Sequence, residues 1–124
     1  MNRLIENALL DVYEAAIELD ETVREMSIET YLVSRPVRRI VERLLEVIGE
    51  AVGRAEAVDP VFVASIVDVR AVTGMRNRIA HGYDQLDHTI LWRTATVSVP
   101  LLRAEIEQLL SIEPEQTHCS PENE

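Results

Sequence analysis

The chain has 124 residues, of which 47% are hydrophobic, so we expect one domain with enough apolar side chains to bury a core. No apolar run reaches the roughly 18 residues of a membrane span, and the N-terminus lacks the apolar stretch of a secretion signal. The single cysteine, Cys119, cannot form an internal disulfide. Together these features exclude a wholly disordered chain and predict a cytoplasmic protein with no membrane partner.

Charge is distributed unevenly along the chain, whose net charge is −10. An acidic surface repels nucleic acid, but the excess carboxylates lie in residues 1–30 and 113–124. The central part, 31–112, balances ten arginines against ten aspartates and glutamates, and the chain contains no lysine. Because arginine binds phosphate in a bidentate manner, charge alone neither supports nor excludes an RNA partner.

Apolar residues at helical spacing predict a first helix over about residues 2–25, followed by a short helical segment in 27–34. Ser34 is a good N-cap and Pro36 suits a first turn, so a long second helix should begin there and end near residue 57. Asp59, followed by proline, predicts the next boundary and the next cap.

Two faces are predicted for this second long helix. Its core face should contain Val37, Val41, Leu44, Ile48, Ala51 and Ala55. Its outward face should contain Arg35, Arg39, Glu42, Arg43, Glu46, Glu50 and Arg54. Glu46 and Glu50 could serve acid–base chemistry, but the spacings Arg43–Glu46 and Glu50–Arg54 also suit a ladder of surface ion pairs.

The second half of the chain predicts two further helices and a tail. A helix over about 61–80 should bury Val69, Val72, Met75 and Ile79, with Gly82 just past its end as a C-cap. A last helical region over about 87–110 should kink or restart at Pro100, with Trp92 in the core and His88 a surface residue of its first turn. We therefore predict an all-α, up-down bundle of four to five helices in one domain, 1–112, and a disordered acidic tail, 113–124.

The stretch GMRNRIAHGYDQLD, at 74–87, concentrates polar and charged side chains at the end of a predicted helix. Its basic residues could simply stabilise the negative end of the helix dipole before Gly82 ends the helix. Alternatively, Asn77 and His81 are four residues apart on one stripe, about 160° from Ile79 and so outward-facing. A pocket there would need a second surface, which a two-fold related copy of the chain could supply.

The side chains of this stretch suit RNA cleavage without a metal. A neutral histidine, His81, can accept a proton from a ribose 2′-hydroxyl, and Arg76 can stabilise charge that grows on the phosphate. Asn77 can orient a hydroxyl or a phosphate oxygen. The chain's histidines lack the spacing of metal ligands, and the sequence contains neither a Gly-rich phosphate loop nor a serine nucleophile elbow.

The segment RNRIAHGY, Arg76 to Tyr83, resembles the Arg-x4-6-His motif of the HEPN superfamily, in the form Arg-Asn-x-x-Ala-His-x-Tyr. Two longer blocks, VERLLEVIGEAV at 41–52 and the stretch at 74–110 that contains Asp87, Trp92 and Pro100, are similar to HepT-like (DUF86) proteins. The similarity covers roughly residues 28–110 and leaves the acidic tail outside.

This resemblance implies a homodimeric ribonuclease toxin of a type VII-like toxin–antitoxin system, without a metal or other cofactor. Its implied partners are RNA and a minimal nucleotidyltransferase (MNT) antitoxin. By position, Arg76 and His81 match the catalytic pair, and Asn77 matches the polar residue after the arginine. Tyr83 matches the tyrosine that the antitoxin modifies with AMP. Further candidate phosphate contacts are Arg78, Arg39 and Arg43.

Two other functions remain open from the sequence. The same residues could form a non-catalytic binding module that docks a nucleotidyltransferase and is modified by it. The chain could also be a plain interaction domain whose motif is only a helix end. A gene for a small nucleotidyltransferase beside this one would favour the first two functions over the third.

Overall fold

The computed structural model describes residues 1–81 and 86–113, except for the side chains of 75–78, 80 and 81. The described part is helical and contains no strand, which confirms the predicted all-α class. Its helices are α1 (Arg3–Val23), α2 (Ile28–Val33), α3 (Arg35–Val58), α4 (Pro60–Ala64), α5 (Val69–His81), α6 (His88–Arg93) and α7 (Val99–Leu110). None of these helices is long and apolar enough to cross a membrane.

Side-chain caps fix where the helices begin. The Ser34 hydroxyl accepts a hydrogen bond from the backbone N–H of Val37 at 3.4 Å, so α3 begins where the sequence predicted. The Asp59 carboxylate accepts one from Phe62 N–H at 3.0 Å and caps α4, as expected. These caps satisfy N–H groups that have no partner within their own helix. They therefore favour a change of chain direction at Ser34 and at Asp59, where α3 and α4 begin.

The core lies mainly between α1 and α3, the two longest helices, which pack against each other. Val12 of α1 and both Leu45 and Ile48 of α3 are completely buried. From the second half of the chain, α5 contributes Val72 and α7 contributes Ile106, both also completely buried. The predicted apolar faces therefore meet in one core, which positions α5 against α3.

The prediction of one continuous helix over 61–80 is wrong, because the chain forms two helices there. Helix α4 ends after five residues, and a turn at 65–68 precedes α5. The Ser65 hydroxyl donates to the Phe62 carbonyl at 2.6 Å, which helps to end α4. The backbone N–H of Val67 then donates to both carboxylate oxygens of Glu105 on α7, at 3.2 Å each. A long-range contact thus stabilises a turn that local periodicity does not indicate.

The interruption predicted at Pro100 is present as a π-helical segment, Thr94–Ser98, between α6 and α7. Proline has no N–H to continue the α-helical pattern, and its ring collides with the carbonyl four residues earlier. A wider π turn just before Pro100 accommodates both the missing N–H and the proline ring, so the chain remains helical from α6 to α7. The hydroxyls of Thr94 and Thr96 donate to the carbonyls of Ile90 and Trp92, at 2.9 and 2.7 Å.

The outward face predicted for α3 needs two corrections. Glu42 is buried, with only 5% of its surface exposed. Arg54 does not continue a ladder along α3, since it donates to the Asp11 carboxylate of α1 at 2.6 Å. The predicted Arg43–Glu46 pair is present at 3.5 Å. Packing of neighbouring helices, which a single helical wheel omits, accounts for both differences.

Candidate functional site at the end of α5

Helix α5 carries the sequence motif in its last two turns, up to its final residue, His81. Val69, Val72 and Ile79 are buried, which confirms three of the four predicted core positions. The fourth, Met75, has a side chain outside the described part of the structure. By helix geometry, the backbone positions of Asn77 and His81 lie about 160° around the axis from Ile79. The C-terminal part of the predicted helix, from Val69 onward, is therefore helical as expected, although the helix begins later than predicted.

The predicted catalytic side chains are not placed by the described part of the structure. Helix α5 includes the backbone of Arg76, Asn77, Arg78 and His81, but their side chains lie outside that description. Tyr83 and the expected C-cap Gly82 lie outside it altogether. The same holds for the tail beyond residue 113, including Cys119. Each assignment on these residues stays a prediction.

Two of the further phosphate candidates lie in the first half of α3 and are described. The Arg39 side chain is 46% exposed and donates to Glu42 Oε1 at 3.3 Å. The Arg43 side chain is 65% exposed and donates to Glu46 Oε1 at 3.5 Å. Both partners of the Arg43–Glu46 pair are partly exposed, and such pairs contribute only about 0.2–1 kcal/mol to stability, so an incoming phosphate can compete with Glu46 for Arg43. Arg39 is paired with a buried carboxylate, so this argument does not apply to it.

The sequence did not predict a buried polar cluster, which we call the Tyr31–Glu42–His88 cluster. Tyr31 of α2 is fully buried, and its ring lies 6.4 Å from that of His88, the first residue of α6, in an edge-on arrangement. Glu42 Oε2 lies 3.9 Å from His88 Nδ1. The ring of Trp92 also lies close to that of Tyr31, with the two ring centres 5.1 Å apart. His88 is thus partly enclosed rather than the surface residue that was predicted.

Three buried polar atoms of this cluster have no hydrogen-bond partner among the described residues: the Tyr31 hydroxyl, Glu42 Oε2 and His88 Nδ1. Burial, and after it the negative charge of Glu42, raises the pKa of the Tyr31 phenol to about 12, against a smaller opposing effect of Arg38. The phenol is therefore neutral throughout the physiological range. Buried polar atoms without a hydrogen-bond partner are rare in folded proteins, so these three atoms call for an explanation.

The angular position of Glu42 on α3 brings it near the core, although this position alone does not predict burial. Glu42 lies seven residues before Gly49, so the two share nearly the same angular position on α3, and Gly49 is buried as well. Position 42 is also only about 60° around the helix from the fully buried Leu45. The wheel alone places Glu42 at the edge of the core, and packing by α2 and α6 completes its burial.

Within the described residues, no group of three or more histidine, cysteine, aspartate or glutamate side chains is arranged to hold a metal ion. This statement does not extend to His81 or Cys119, because neither side chain is described. The predicted absence of a metal cofactor therefore stays a prediction.

Comparison with known proteins places the chain in a family. The model of the family described as "Ribonuclease HepT-like" matches residues 12–109. The chain belongs to the HepT-like family. The matched range contains the whole of α5 as well as Glu42 and His88, so both the motif and the buried cluster lie inside the family domain.

Relatives of similar length support this membership. A probable ribonuclease HepT of Thermococcus cleftensis is 30% identical over 109 residues, which cover 88% of this chain and 98% of that protein. A putative RNase of Methanocaldococcus jannaschii is 28% identical over 108 residues, covering 87% and 88% of the two chains. A putative RNase of Caldanaerobacter subterraneus is 30% identical over 97 residues, or 77% and 84%. No solved structure matches this chain.

Proposed function

We propose that this protein is a metal-independent endoribonuclease whose active site lies at the C-terminal end of α5. The observation that carries the proposal is the segment RNRIAH, which ends one continuous helix inside the range matched by the HepT-like family. The names of its relatives, probable ribonuclease HepT and putative RNase, support the same reaction class.

In the proposed reaction, a ribose 2′-oxygen attacks the adjacent phosphorus. His81 accepts the proton of the 2′-hydroxyl, and Arg76 stabilises the negative charge that develops on the phosphate oxygens. The new bond joins the 2′-oxygen to phosphorus while the bond from phosphorus to the 5′-oxygen breaks. The leaving 5′-oxygen takes up a proton from water, and His81 later releases its proton to water. The products are a 2′,3′-cyclic phosphate end and a 5′-hydroxyl end.

RNA binding in this proposal uses arginines beside the reacting groups. Asn77 orients a hydroxyl or phosphate oxygen, while Arg78, Arg39 and Arg43 contact the RNA backbone. The support for the last two is their partial exposure on α3, the helix against which α5 packs. Since the rest of the protein is acidic, we expect RNA binding to be moderate and salt-dependent.

The biological role that we propose is that of the toxin in a type VII-like toxin–antitoxin system of the cytoplasm. A minimal nucleotidyltransferase antitoxin would neutralise it by attaching AMP to the Tyr83 hydroxyl. The added phosphodiester would carry negative charge and bulk next to Arg76 and Arg78, and would exclude RNA by competition rather than by unfolding. Two copies of the chain would share the surface that carries the motif.

Nuclease activity is tested with purified protein and an RNA oligonucleotide in the presence of EDTA. We expect cleavage to persist in EDTA, and to be lost in both His81→Ala and Arg76→Ala. Arg70→Ala is the matched control, because Arg70 is an exposed residue of the same helix outside the motif. A substrate with 2′-deoxyribose at the cut site should resist cleavage, since it lacks the nucleophile. Activity that needs a metal, or normal cleavage by His81→Ala, would contradict the mechanism.

Dimerisation and modification are tested separately. Light scattering at micromolar concentration should report about twice the 14.0 kDa mass of the chain. Mass spectrometry after co-expression with a minimal nucleotidyltransferase antitoxin should find AMP on Tyr83 and none on Tyr83→Phe. A monomer would remove the shared site. Adducts without any cleavage by the unmodified protein would instead indicate a binding module that the transferase docks and modifies.

A further inference from the structure

We propose that Glu42 is a positioning residue: its buried carboxylate faces His88, holds the start of α6, and through it keeps the end of α5 in the geometry that cleavage requires. This inference rests on the proposed nuclease function of the α5 motif. It assigns a role to Glu42 and His88 outside the Arg76–His81 motif.

Glu42 occupies a junction of three helices. It projects from α3, its Oε2 lies 3.9 Å from Nδ1 of His88 on α6, and its charge acts on the phenol of Tyr31 on α2. Its other oxygen, Oε1, accepts a hydrogen bond from Arg39 at 3.3 Å. One carboxylate on α3 therefore lies beside His88 of α6 and influences Tyr31 of α2.

His88 is a suitable point of control because it is the first residue of α6. The preceding residue, Asp87, caps the helix by accepting a hydrogen bond from Thr89 N–H at 2.9 Å. Only six residues separate His88 from His81, the last residue of α5. Because so few residues join the two helices, the position of the start of α6 restricts where the end of α5 can lie. Small misplacements of reacting groups slow a reaction strongly.

Stability does not account for this carboxylate. A buried carboxylate whose second oxygen lacks a hydrogen bond costs desolvation energy, and apolar side chains of similar size are often at least as stable in such places. What a charged group adds is a directional interaction with one imidazole. Buried polar groups with incomplete hydrogen bonding are often found where a protein carries out its function.

Glu42 could act instead through Arg39, its hydrogen-bonded neighbour, and the two routes predict different kinetics. Arg39 is nearly half exposed and, as a phosphate contact, should affect RNA binding. Glu42 and His88 should affect the turnover step. We expect Arg39→Gln to raise KM with kcat nearly unchanged, whereas an equal fall in kcat in that variant would assign the effect to the arginine.

The kinetic test uses full-length Glu42→Gln, which keeps the shape of the side chain and removes its charge. We expect kcat to fall about tenfold with KM nearly unchanged, while circular dichroism reports a folded protein. His88→Leu should cause a similar fall, and the double variant should be no slower than either single variant, because both remove one interaction. Glu56→Gln is the control, since Glu56 is an exposed residue of α3 about 21 Å further along the helix.

A second readout does not depend on activity. Amide hydrogen exchange at Thr89, Ile90 and Leu91, in the first turn of α6, should be about tenfold faster in Glu42→Gln than in wild type and unchanged in Glu56→Gln. If the wild type cuts no RNA, the proposed function fails, and the exchange rates alone still decide whether Glu42 holds α6.

The proposal is overturned if Glu42→Gln leaves either kcat or exchange within twofold of wild type. It is also overturned if the losses in Glu42→Gln and His88→Leu multiply in the double variant. Should Glu42→Gln fail to fold, His88→Leu carries the same kinetic and exchange tests, because the His88 side chain is 28% exposed and its replacement disturbs the core less.

Discussion

The two halves of α3 are built differently although they belong to one continuous helix. From Leu44 to Ala55, the buried side is made of aliphatic and small residues, and the charged residue Arg54 lies at the surface, paired with Asp11. Around Glu42, the helix buries a carboxylate beside His88, and both have an atom without a hydrogen-bond partner among the described residues.

The two halves have different roles. The apolar half stabilises the bundle, and we propose that the half around Glu42 shapes the functional site. The C-terminal half of α3 stabilises the bundle by burying apolar side chains against the rest of the core, because removal of apolar area from water is favourable. The N-terminal half contributes less stabilisation of this kind, because it also encloses polar groups. It is also the half that carries Arg39 and Arg43, and the half that faces the beginning of α6.

The largest effect on stability should come from truncating the apolar half. Ile48 is completely buried between α3 and its neighbours, so Ile48→Ala removes buried methyl groups and leaves a cavity. We expect the free energy of unfolding to fall by about 2–5 kcal/mol, measured by urea denaturation. The matched control is Ile40→Ala on the same helix, whose side chain is 46% exposed and should cost less than about 0.5 kcal/mol. Equal losses in the two variants would show that the apolar half does not dominate stability.

An intermediate effect should appear at alkaline pH because of Tyr31. Its pKa is about 12 in the folded protein, against about 10 for an unfolded chain, so the folded state binds the phenolic proton more tightly. The stabilisation is therefore complete below pH 10 and is lost as the pH rises from about 10 to 12, by about 2 kcal/mol. Urea denaturation of wild type and Tyr31→Phe across this range isolates the contribution from that of Tyr13, whose pKa burial also raises. Parallel stability curves for the two proteins would contradict the assignment.

The helices and their caps could be predicted from sequence because the signals are local. Ser34 and Asp59 each lie next to the N–H groups they accept from, and the apolar spacing of α3 identifies its core face without knowledge of its neighbours. The break between α4 and α5 could not be predicted in this way. It is stabilised by Glu105, which lies 38 residues away from Val67 in sequence.

In the candidate site too, features that depend on local sequence could be predicted, and features that depend on packing between helices could not. The motif of α5 was identified from residue types, spacing and a family resemblance, and the residues from Arg76 to His81 are helical as expected. The cluster around Glu42 was missed because its burial depends on α2 and α6 closing over one edge of α3. A helical wheel assigns a glutamate at such an edge to solvent, and likewise a histidine at a helix start. Only the packed structure shows that the two residues face each other.

The smallest and most discriminating effect should have the opposite sign from the first. Glu42→Met replaces the buried carboxylate by a flexible apolar side chain that can fill the same space. It leaves no new buried polar atom unpaired, because Oε2 already lacks a hydrogen bond and the Arg39 side chain is nearly half exposed. We therefore expect the free energy of unfolding to rise by about 1 kcal/mol, measured by urea denaturation, while RNA cleavage slows. Glu56→Met, at an exposed position of α3, should change neither stability nor cleavage appreciably. A clear loss of stability in Glu42→Met would mean that the carboxylate stabilises the bundle, and the contrast between the two halves of α3 would not hold.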